Sequence, residues 1–345
     1  MGKAFFVVCE AYEKTGVEKK VRAQARALHQ AAGLMPLCVS PVRGWERLVS
    51  SQCRIIRQAG KASFLYYRYA SLNWLIHLFL LKKMKNRYLI EINTLNREEL
   101  KRERGLKGLL KRLFNALFEK PLLQRSRAVL AVSQQIKEDV LSLSPASEVR
   151  IMENGYEKRE VSPEMNAHVA QKVHEWREKG FLVALFAGTF FSWSGADLIV
   201  KGLKNRTKVG LILAGFGPEL NAVLSAIEGD LHERILYVGS QTEAELAGLY
   251  EIADFAYSSQ ALGRIGIQDA RPLKTREYLA YGLPVVCGYG ESHELLQTGL
   301  ILSPEITMEE LETICRRESK EERMQRALPL LSWNRIYNKM GDLFP

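Results

Sequence analysis

Gly263–Pro284 reads GRIGIQDARPLKTREYLAYGLP. A short apolar run, DFAYSS at 254–259, precedes it, and another, PVVCG at 284–288, begins at its end. Residues from about 272 to 281 carry a helical pattern that stops at the turn Gly282-Leu283-Pro284. Strand, charged loop, helix and strand, in that order, is the unit from which parallel sheets are built. Ligands of such sheets sit beyond the carboxyl ends of the strands, so the loop that opens this helix is a place to look for chemistry. Asp269 lies in the loop and Glu277 eight residues on, inside the helix, while Lys274 is three before Glu277 on the same helical face. One reading is a solvated ion pair. The other is a ligand site, because a half-buried helix rarely carries unpartnered charge at its N-terminal end. There a carboxylate could accept two ribose hydroxyls, and a lysine beside the helix N-terminus could neutralise a diphosphate.

The same alternation runs along the chain. Apolar runs at 4–9, 34–39, 63–68, 87–92, 128–132 and 149–152 are separated by helical patterns such as 17–32, 72–85, 106–124 and 133–143. A second series has runs at 181–187, 209–214, 234–239, 254–259 and 284–288, with helices near 195–204, 218–228, 242–252 and 272–281. Two series predict an α/β protein of two Rossmann-like, doubly wound parallel-sheet domains. Asn154-Gly155 is a turn signal, and the polar stretch to Pro163 lacks periodicity, which puts the boundary near 160. The expected division is 1–160, 161–330 and a tail, 331–345. In the tail Trp333, Ile336, Tyr337, Met340 and Leu343 make an amphipathic helix, which either packs locally or returns to the first domain.

The 345 residues include 49 Lys and Arg against 39 Asp and Glu, a net charge of +10, and 47% are hydrophobic. That composition is globular, neither disordered nor collagenous. Residues 1–160 hold 30 basic and 15 acidic side chains, whereas 161–345 hold 19 and 24, a split expected of two modules with different partners. The longest strongly apolar run, Leu72–Leu81, is about half of the ~20 residues a spanning helix needs. The N-terminal run meets Glu10 and Glu13 too soon for a secretory signal, so a cytoplasmic protein is expected. Cys9, Cys38, Cys53, Cys287 and Cys315 are odd in number, lack CxxC spacing and read as reduced, buried thiols. No HExxH or Cys/His cluster points to a bound metal.

Three further strand-to-helix turns are candidates. Glu10–Val17 contains Gly16, Gly188–Gly195 reads GTFFSWSG, and Ala214–Glu219 reads AGFGPE with Gly215 and Gly217. Small residues there leave backbone N–H groups for an anion, although tight turns look alike for packing reasons alone. None matches a phosphate-binding GxxxxGK[ST] loop or a GxGxxG fingerprint.

With these segments in order the chain resembles GT-B glycosyltransferases, most closely the retaining family 4. The resemblance rests on Asp269-x7-Glu277 followed by Tyr-Leu-Ala-Tyr-Gly-Leu-Pro-Val-Val. It also rests on the Gly16 loop, Glu91-Ile-Asn93-Thr94, Ala131-Val132-Ser133, Glu153-Asn154-Gly155, the Gly188 turn, Gly215-Phe-Gly-Pro218, Val238-Gly239 and Leu249-Tyr250 with Asp254. It implies two domains facing a central cleft, and transfer of a sugar, with retention and without a metal, from a nucleotide sugar, UDP- or GDP-linked, to a glycan or lipid-linked glycan in surface-polysaccharide synthesis. The nucleotide sugar is a co-substrate and no other cofactor is implied. Glu277 would hold the donor ribose, Asp269 would approach the sugar, and Lys274 would serve the diphosphate. Gly16, Gly188, Thr189, Gly215, Gly217, Val238, Arg264, Leu273 and Thr275 would line the donor. Arg68, Glu91 and Asn93 would face the acceptor, Asn93 standing where a histidine is common. The family's two basic residues on the diphosphate are replaced by Thr189 and Ser194, so Lys274, Arg271 or Arg264 is expected to substitute. A catalytically silent GT-B subunit, or a GT-B-shaped epimerase, is the alternative.

Two features concern the first domain. Arg68, with Tyr66, Tyr67 and Tyr69, could form a patch that stacks a sugar. Leu106, Leu109, Leu110, Leu113, Phe114, Leu117 and Phe118 form a helical apolar stripe, and Arg97–Arg127 hold 10 basic and 4 acidic residues. A core helix with a solvated basic face and a helix lying on an anionic inner membrane face both fit. Nucleic acid fits poorly, since no binding motif accompanies the charge.

Overall fold

A computed structural model of the chain describes residues 3–13, 16–158 and 160–345, apart from the side chains of residues 47, 99 and 102. Lys14 and Thr15 of the first turn, Arg159 of the boundary stretch, and Met1 and Gly2 lie outside the described residues. The elements run β1 (Ala4–Cys9), α1 (Gly16–Ala32), β2 (Met35–Val39), α2 (Ser51–Ala59), β3 (Phe64–Arg68), α3 (Trp74–Lys83), β4 (Tyr88–Ile92), α4 (Asn96–Arg102), α5 (Gly105–Arg125), β5 (Ala128–Ala131), α6 (Gln134–Leu143) and β6 (Val149–Ile151). They continue with α7 (Ala167–Glu178), β7 (Leu182–Thr189), α8 (Ala196–Gly202), β8 (Val209–Phe216), α9 (Leu220–Ser225), α10 (Leu231–Arg234), β9 (Ile235–Gly239), α11 (Glu243–Ile252), β10 (Phe255–Tyr257), α12 (Leu273–Ala280), β11 (Val285–Val286), α13 (His293–Leu296), β12 (Ile301–Leu302), α14 (Met308–Arg317), α15 (Lys320–Leu331) and α16 (Trp333–Asn338).

Two six-stranded parallel sheets result, ordered β2-β1-β3-β4-β5-β6 and β12-β11-β10-β7-β8-β9. Their strands are apolar runs because helices cover both faces, leaving no polar side to alternate with. β12 is a two-residue strand, too short to show a period. The strand order reverses between β1 and β3 in one sheet and between β7 and β10 in the other, and such switch points open crevices at the carboxyl ends.

The chain divides into two compact units, Met1–Gly155 with Ser332–Pro345, and Tyr156–Leu331. In the first, Trp333, Ile336 and Tyr337 of α16, with Leu343 and Phe344, join the core formed by α1, β1 and β3. The second has two cores, one on each face of its sheet. All five cysteines are free; Cys9 and Cys287 are buried, whereas Cys53 is exposed.

Helix α5 divides its stripe: Leu110, Phe114 and Phe118 are half-buried, Phe114 on Trp74 and Phe118 on His77, whereas four leucines turn outward. Leu106, Leu109, Leu113 and Leu117 are 73, 56, 50 and 56% exposed. The buried face instead carries Gly108, Asn115, Glu119, Leu122 and Leu123. Asn115 Nδ2 donates to Glu119 Oε2 and Asn96 Nδ2 to Glu119 Oε1, both at 2.7 Å, and the Tyr69 hydroxyl donates to Asn115 Oδ1 at 2.7 Å. Burial raises the Glu119 carboxyl above its ordinary value despite these donors. A satisfied polar network therefore fixes which side of the helix faces inward, and it turns the leucines out.

Candidate functional site

The site builds from the β7–β10 switch point. β10 pairs with β7 only at Ala184 and Leu185, so the β7 backbone beyond has no strand on that side. The Tyr278 hydroxyl takes the place of a strand there: it accepts the Ala187 N–H at 2.8 Å and donates to the Ala187 carbonyl at 3.0 Å. One turn earlier on α12 this anchor sets Lys274 against the end of β7. The Lys274 amine lies 4.5 Å from the Phe186 ring centre, and a Cβ added at Gly188 would be 3.6 Å from Nζ. Among the described residues the amine has no carboxylate or hydrogen-bond partner. Burial lowers its pKa to about 8. The i,i+3 ion pair with Glu277 is therefore not formed. Glu277 is half-buried, and after burial itself its carboxylate is the next cause of the raised Tyr250 phenol.

The rest of α12 is tied down by polar groups, among which the sequence reading named Thr275, Arg271 and Asp269 but not Ser258, Tyr289, Arg276 or Glu291. Thr275 is fully buried, and its Oγ1 meets Ser258 Oγ at 2.8 Å and the Tyr289 hydroxyl at 2.5 Å, so it fastens the helix to the ends of β10 and β11. Arg276, also fully buried, pairs with Glu291, which accepts the Ser292 N–H and also faces Arg271 Nε at 3.1 Å. Arg271 in turn donates to Asp269 Oδ1 at 2.5 Å. Arg276, Glu291, Arg271 and Asp269 thus form one chain of alternating charge that shapes the loop before α12. Pro272 is the residue before the helix, Leu273 opens it half-buried, and its first turn carries no acidic side chain.

This assignment separates the three cations proposed for a diphosphate. Arg264 makes a two-pronged pair with Asp197, at 2.9 and 2.8 Å, and also donates to the Ser192 carbonyl. Arg271 is held by Asp269 and Glu291. Lys274 alone of the three has no carboxylate beside it.

The glycines at the neighbouring turn have a packing cause. A Cβ at Gly215 would stand 1.9 Å from the Gly188 carbonyl oxygen, and one at Gly217 would be 2.5 Å from Phe190 N. Phe190 N–H donates to the Phe216 carbonyl, and Glu219 N–H to that of Phe190, so the β7 and β8 turns are knitted backbone to backbone. Ser194 Oγ closes the first turn on the Thr189 carbonyl at 2.6 Å. Gly16, by contrast, is exposed at the start of α1, and a Cβ there would meet nothing within 4 Å. Val238 is half-buried in β9 against the core on the α7 and α11 face.

At the switch point of the first unit, Glu91 ends fully buried in β4. It accepts from Lys20 Nζ at 3.0 Å, Arg68 Nη1 at 3.1 Å, Gln24 Nε2 at 3.1 Å and the Tyr66 hydroxyl at 2.7 Å. Burial alone would raise its carboxyl, but Lys20 and then Arg68 outweigh that and hold it at about 2. Burial lowers Lys20 to about 8 even with Glu91 beside it. Arg68 also pairs with Glu10. The tyrosines around Arg68 are interior rather than a surface patch: Tyr66 and Tyr67 are fully buried, and Tyr69 stacks on His77 at 5.2 Å. Asn93 is half-buried; its Oδ1 accepts from Lys20 at 2.5 Å, which leaves Nδ2 as a buried donor without an acceptor among the described residues. The sequence signal for Lys20 and Gln24 was their i,i+4 spacing on the inward face of α1.

No protein-family model matches the sequence, and no curated protein does. Solved structures do. Sucrose-phosphate synthase from Thermosynechococcus elongatus matches with a TM-score of 0.67 at 17% identity, over 99% of this chain and 97% of that one. The catalytic domain of starch synthase IV from Arabidopsis thaliana, bound to ADP and acarbose, gives 0.63 at 11% identity, over 99% and 98%. Anabaena HepE in complex with UDP gives 0.62 at 13% identity, over 99% of each chain. These neighbours are glycosyltransferases, and this chain shares their two-domain GT-B fold.

Proposed function

We propose that this chain is a retaining glycosyltransferase that moves a sugar from a UDP- or GDP-linked donor to a glycan or lipid-linked glycan acceptor. One observation carries the reading: a lysine amine without a carboxylate partner, Lys274, sits against Gly188 at a switch point and in the first turn of a helix. Backbone N–H groups of that turn and the ammonium together favour a diphosphate. The likeness in fold to HepE, solved with UDP, and to starch synthase IV, solved with ADP, supports a nucleotide-linked donor.

In the proposed reaction the acceptor hydroxyl attacks the anomeric carbon from the face the diphosphate leaves. The bond from that carbon to the phosphate oxygen breaks as the new glycosidic bond forms, and a leaving-phosphate oxygen takes the hydroxyl proton. Lys274 and the α12 N-terminus stabilise the charge that develops on the diphosphate, so positioned protein groups supply the positive charge without a metal. Glu277 holds the ribose and Val238 lies by the base. On the first unit, Asn93 offers its amide N–H to a hydroxyl of the acceptor. Asp269, tied to Arg271, orders the loop whose N–H groups meet the phosphates.

Incubating the protein with a panel of nucleotide sugars, with and without glycan acceptors, tests this. Release of free nucleotide from one donor, lost in Lys274→Ala, is expected. An altered sugar without nucleotide release would point to an epimerase. A silent subunit has two observations in its favour: Asp269 is paired internally, and Thr189 and Ser194 carry no charge. Nucleotide-sugar binding without turnover on any acceptor is the result that selects it.

A further inference from the structure

We propose that the outer face of α5 is a docking surface for an anionic lipid bilayer. Up to Glu119 the helix buries polar side chains and exposes a row of leucines, while Phe114 and Phe118 pack on α3 beside them. Asn115 and Glu119 point inward and are hydrogen-bonded, while Leu106, Leu109, Leu113 and Leu117 point outward and are half or more exposed. Spaced by three, four and four residues, these leucines align on one side of a helix and form a ridge about 17 Å long. Soluble monomers scatter their exposed apolar side chains, whereas a contiguous ridge marks a surface that something covers.

Val42 and Trp45 extend the apolar surface, at 85 and 69% exposed. An apolar cavity of about 510 Å³ joins the two parts: Pro41, Val42 and Leu72 line it together with Leu106 and Leu110 of α5. An indole and a row of leucines suit the boundary between head groups and acyl chains.

Charge selects the occupant. Arg97–Arg127 hold 10 basic and 4 acidic residues. Lys107 and Lys120 on α5 are exposed and have no ion-pair partner among the described residues. An apolar ridge edged by unpaired lysines matches a negatively charged lipid surface, which offers both a dry interior and anionic head groups. No helix among the described residues is long and apolar enough to cross a membrane, so the contact lies in the plane of the interface. The inference does not depend on the transferase reading.

The test is flotation of the full chain with vesicles of phosphatidylcholine alone or mixed with phosphatidylglycerol, at low and high salt. Binding to the anionic vesicles, weakened by salt, is expected. The double variant Leu109→Gln/Leu113→Gln should reduce the bound fraction by at least ~10-fold. Its melting temperature should be unchanged, since neither leucine is in a core. Lys107→Gln/Lys120→Gln should weaken binding to anionic vesicles and leave residual binding to neutral ones unchanged. Absence of binding to anionic vesicles at low salt overturns the proposal. So does a concentration-dependent dimer that the leucine variants convert to monomer without any effect of lipid.

Discussion

The Tyr278 hydroxyl spans the Ala187 residue, accepting from its N–H at 2.8 Å and donating to its carbonyl at 3.0 Å. It thereby fixes α12 on β7 where the neighbouring strand has stopped. Tyr278→Phe leaves two buried backbone groups without partners and is expected to cost about 1–3 kcal/mol of stability. Denaturant unfolding measures that. Nucleotide affinity should fall as well, because Lys274 stands one turn from the anchor.

Lys274 is held down to about 8 by burial, against an ordinary value of 10.5. Between those two values the unfolded chain binds the extra proton, so this residue makes stability rise with pH across the window and lowers it most below 8. Lys274→Met should therefore leave stability at neutral pH unchanged or higher, while nucleoside-diphosphate binding drops by about 10-fold or more. In the unchanged protein, affinity should decline as pH passes 8. Calorimetry just above that pH, in buffers of different ionisation enthalpy, should record proton uptake on binding. Absence of any proton uptake there would show that the amine does not meet the phosphates.

Gly215 and Gly16 should respond oppositely to a methyl group. At Gly215 the φ of +123° and the Gly188 oxygen 1.9 Å from the added Cβ leave no room. Gly215→Ala is expected to destabilise the second unit by about 2 kcal/mol or more, by strain and overpacking. Gly16→Ala meets nothing and should leave melting unchanged. If it nevertheless weakens donor binding, Gly16 lies where a ligand approaches.

Glu91→Gln removes the charge that compensates Lys20. Breaking a buried pair from one side costs about 3–5 kcal/mol, and unfolding by denaturant should show a loss of that order. The carboxyl is held at about 2 in the folded state against an ordinary 4.5, so its contribution is present above 4.5 and disappears as pH falls towards 2. The variant should lack this part of the acid dependence.

All strands but β12 were legible because burial on both faces leaves continuous apolar runs, and β1 coincides with its predicted run from Ala4 to Cys9, whereas the two residues of β12 are too few to make a run. The stripe on α5 was legible as a stripe, with an inward and an outward reading both open, but not as one that divides, Phe114 and Phe118 going in and four leucines out. Periodicity states that leucines share a side; it does not state which side the fold covers. Asn115 and Glu119, four apart on the other face, held that information, but only once Asn96 and Tyr69 were seen to satisfy them. The electrostatics were the least legible part. Lys20 finds Glu91 from 71 residues away, and Arg276 finds Glu291 from 15. Neither spacing follows from a helical or strand period. Of Lys274, Arg271 and Arg264, all basic and close in sequence, the partners of the last two distinguish them, and those partners come from the fold.

The return of Ser332–Pro345 to the first unit makes Tyr156–Leu331 an insertion within it. In chain order the whole inserted segment precedes Trp333, Ile336 and Tyr337, which complete the core beneath α1. Without α16 the first unit leaves part of its apolar interior uncovered, while the second unit has both of its cores within Tyr156–Leu331. Deleting α16 would therefore destabilise the unit built on Met1–Gly155 rather than the segment next to it in sequence.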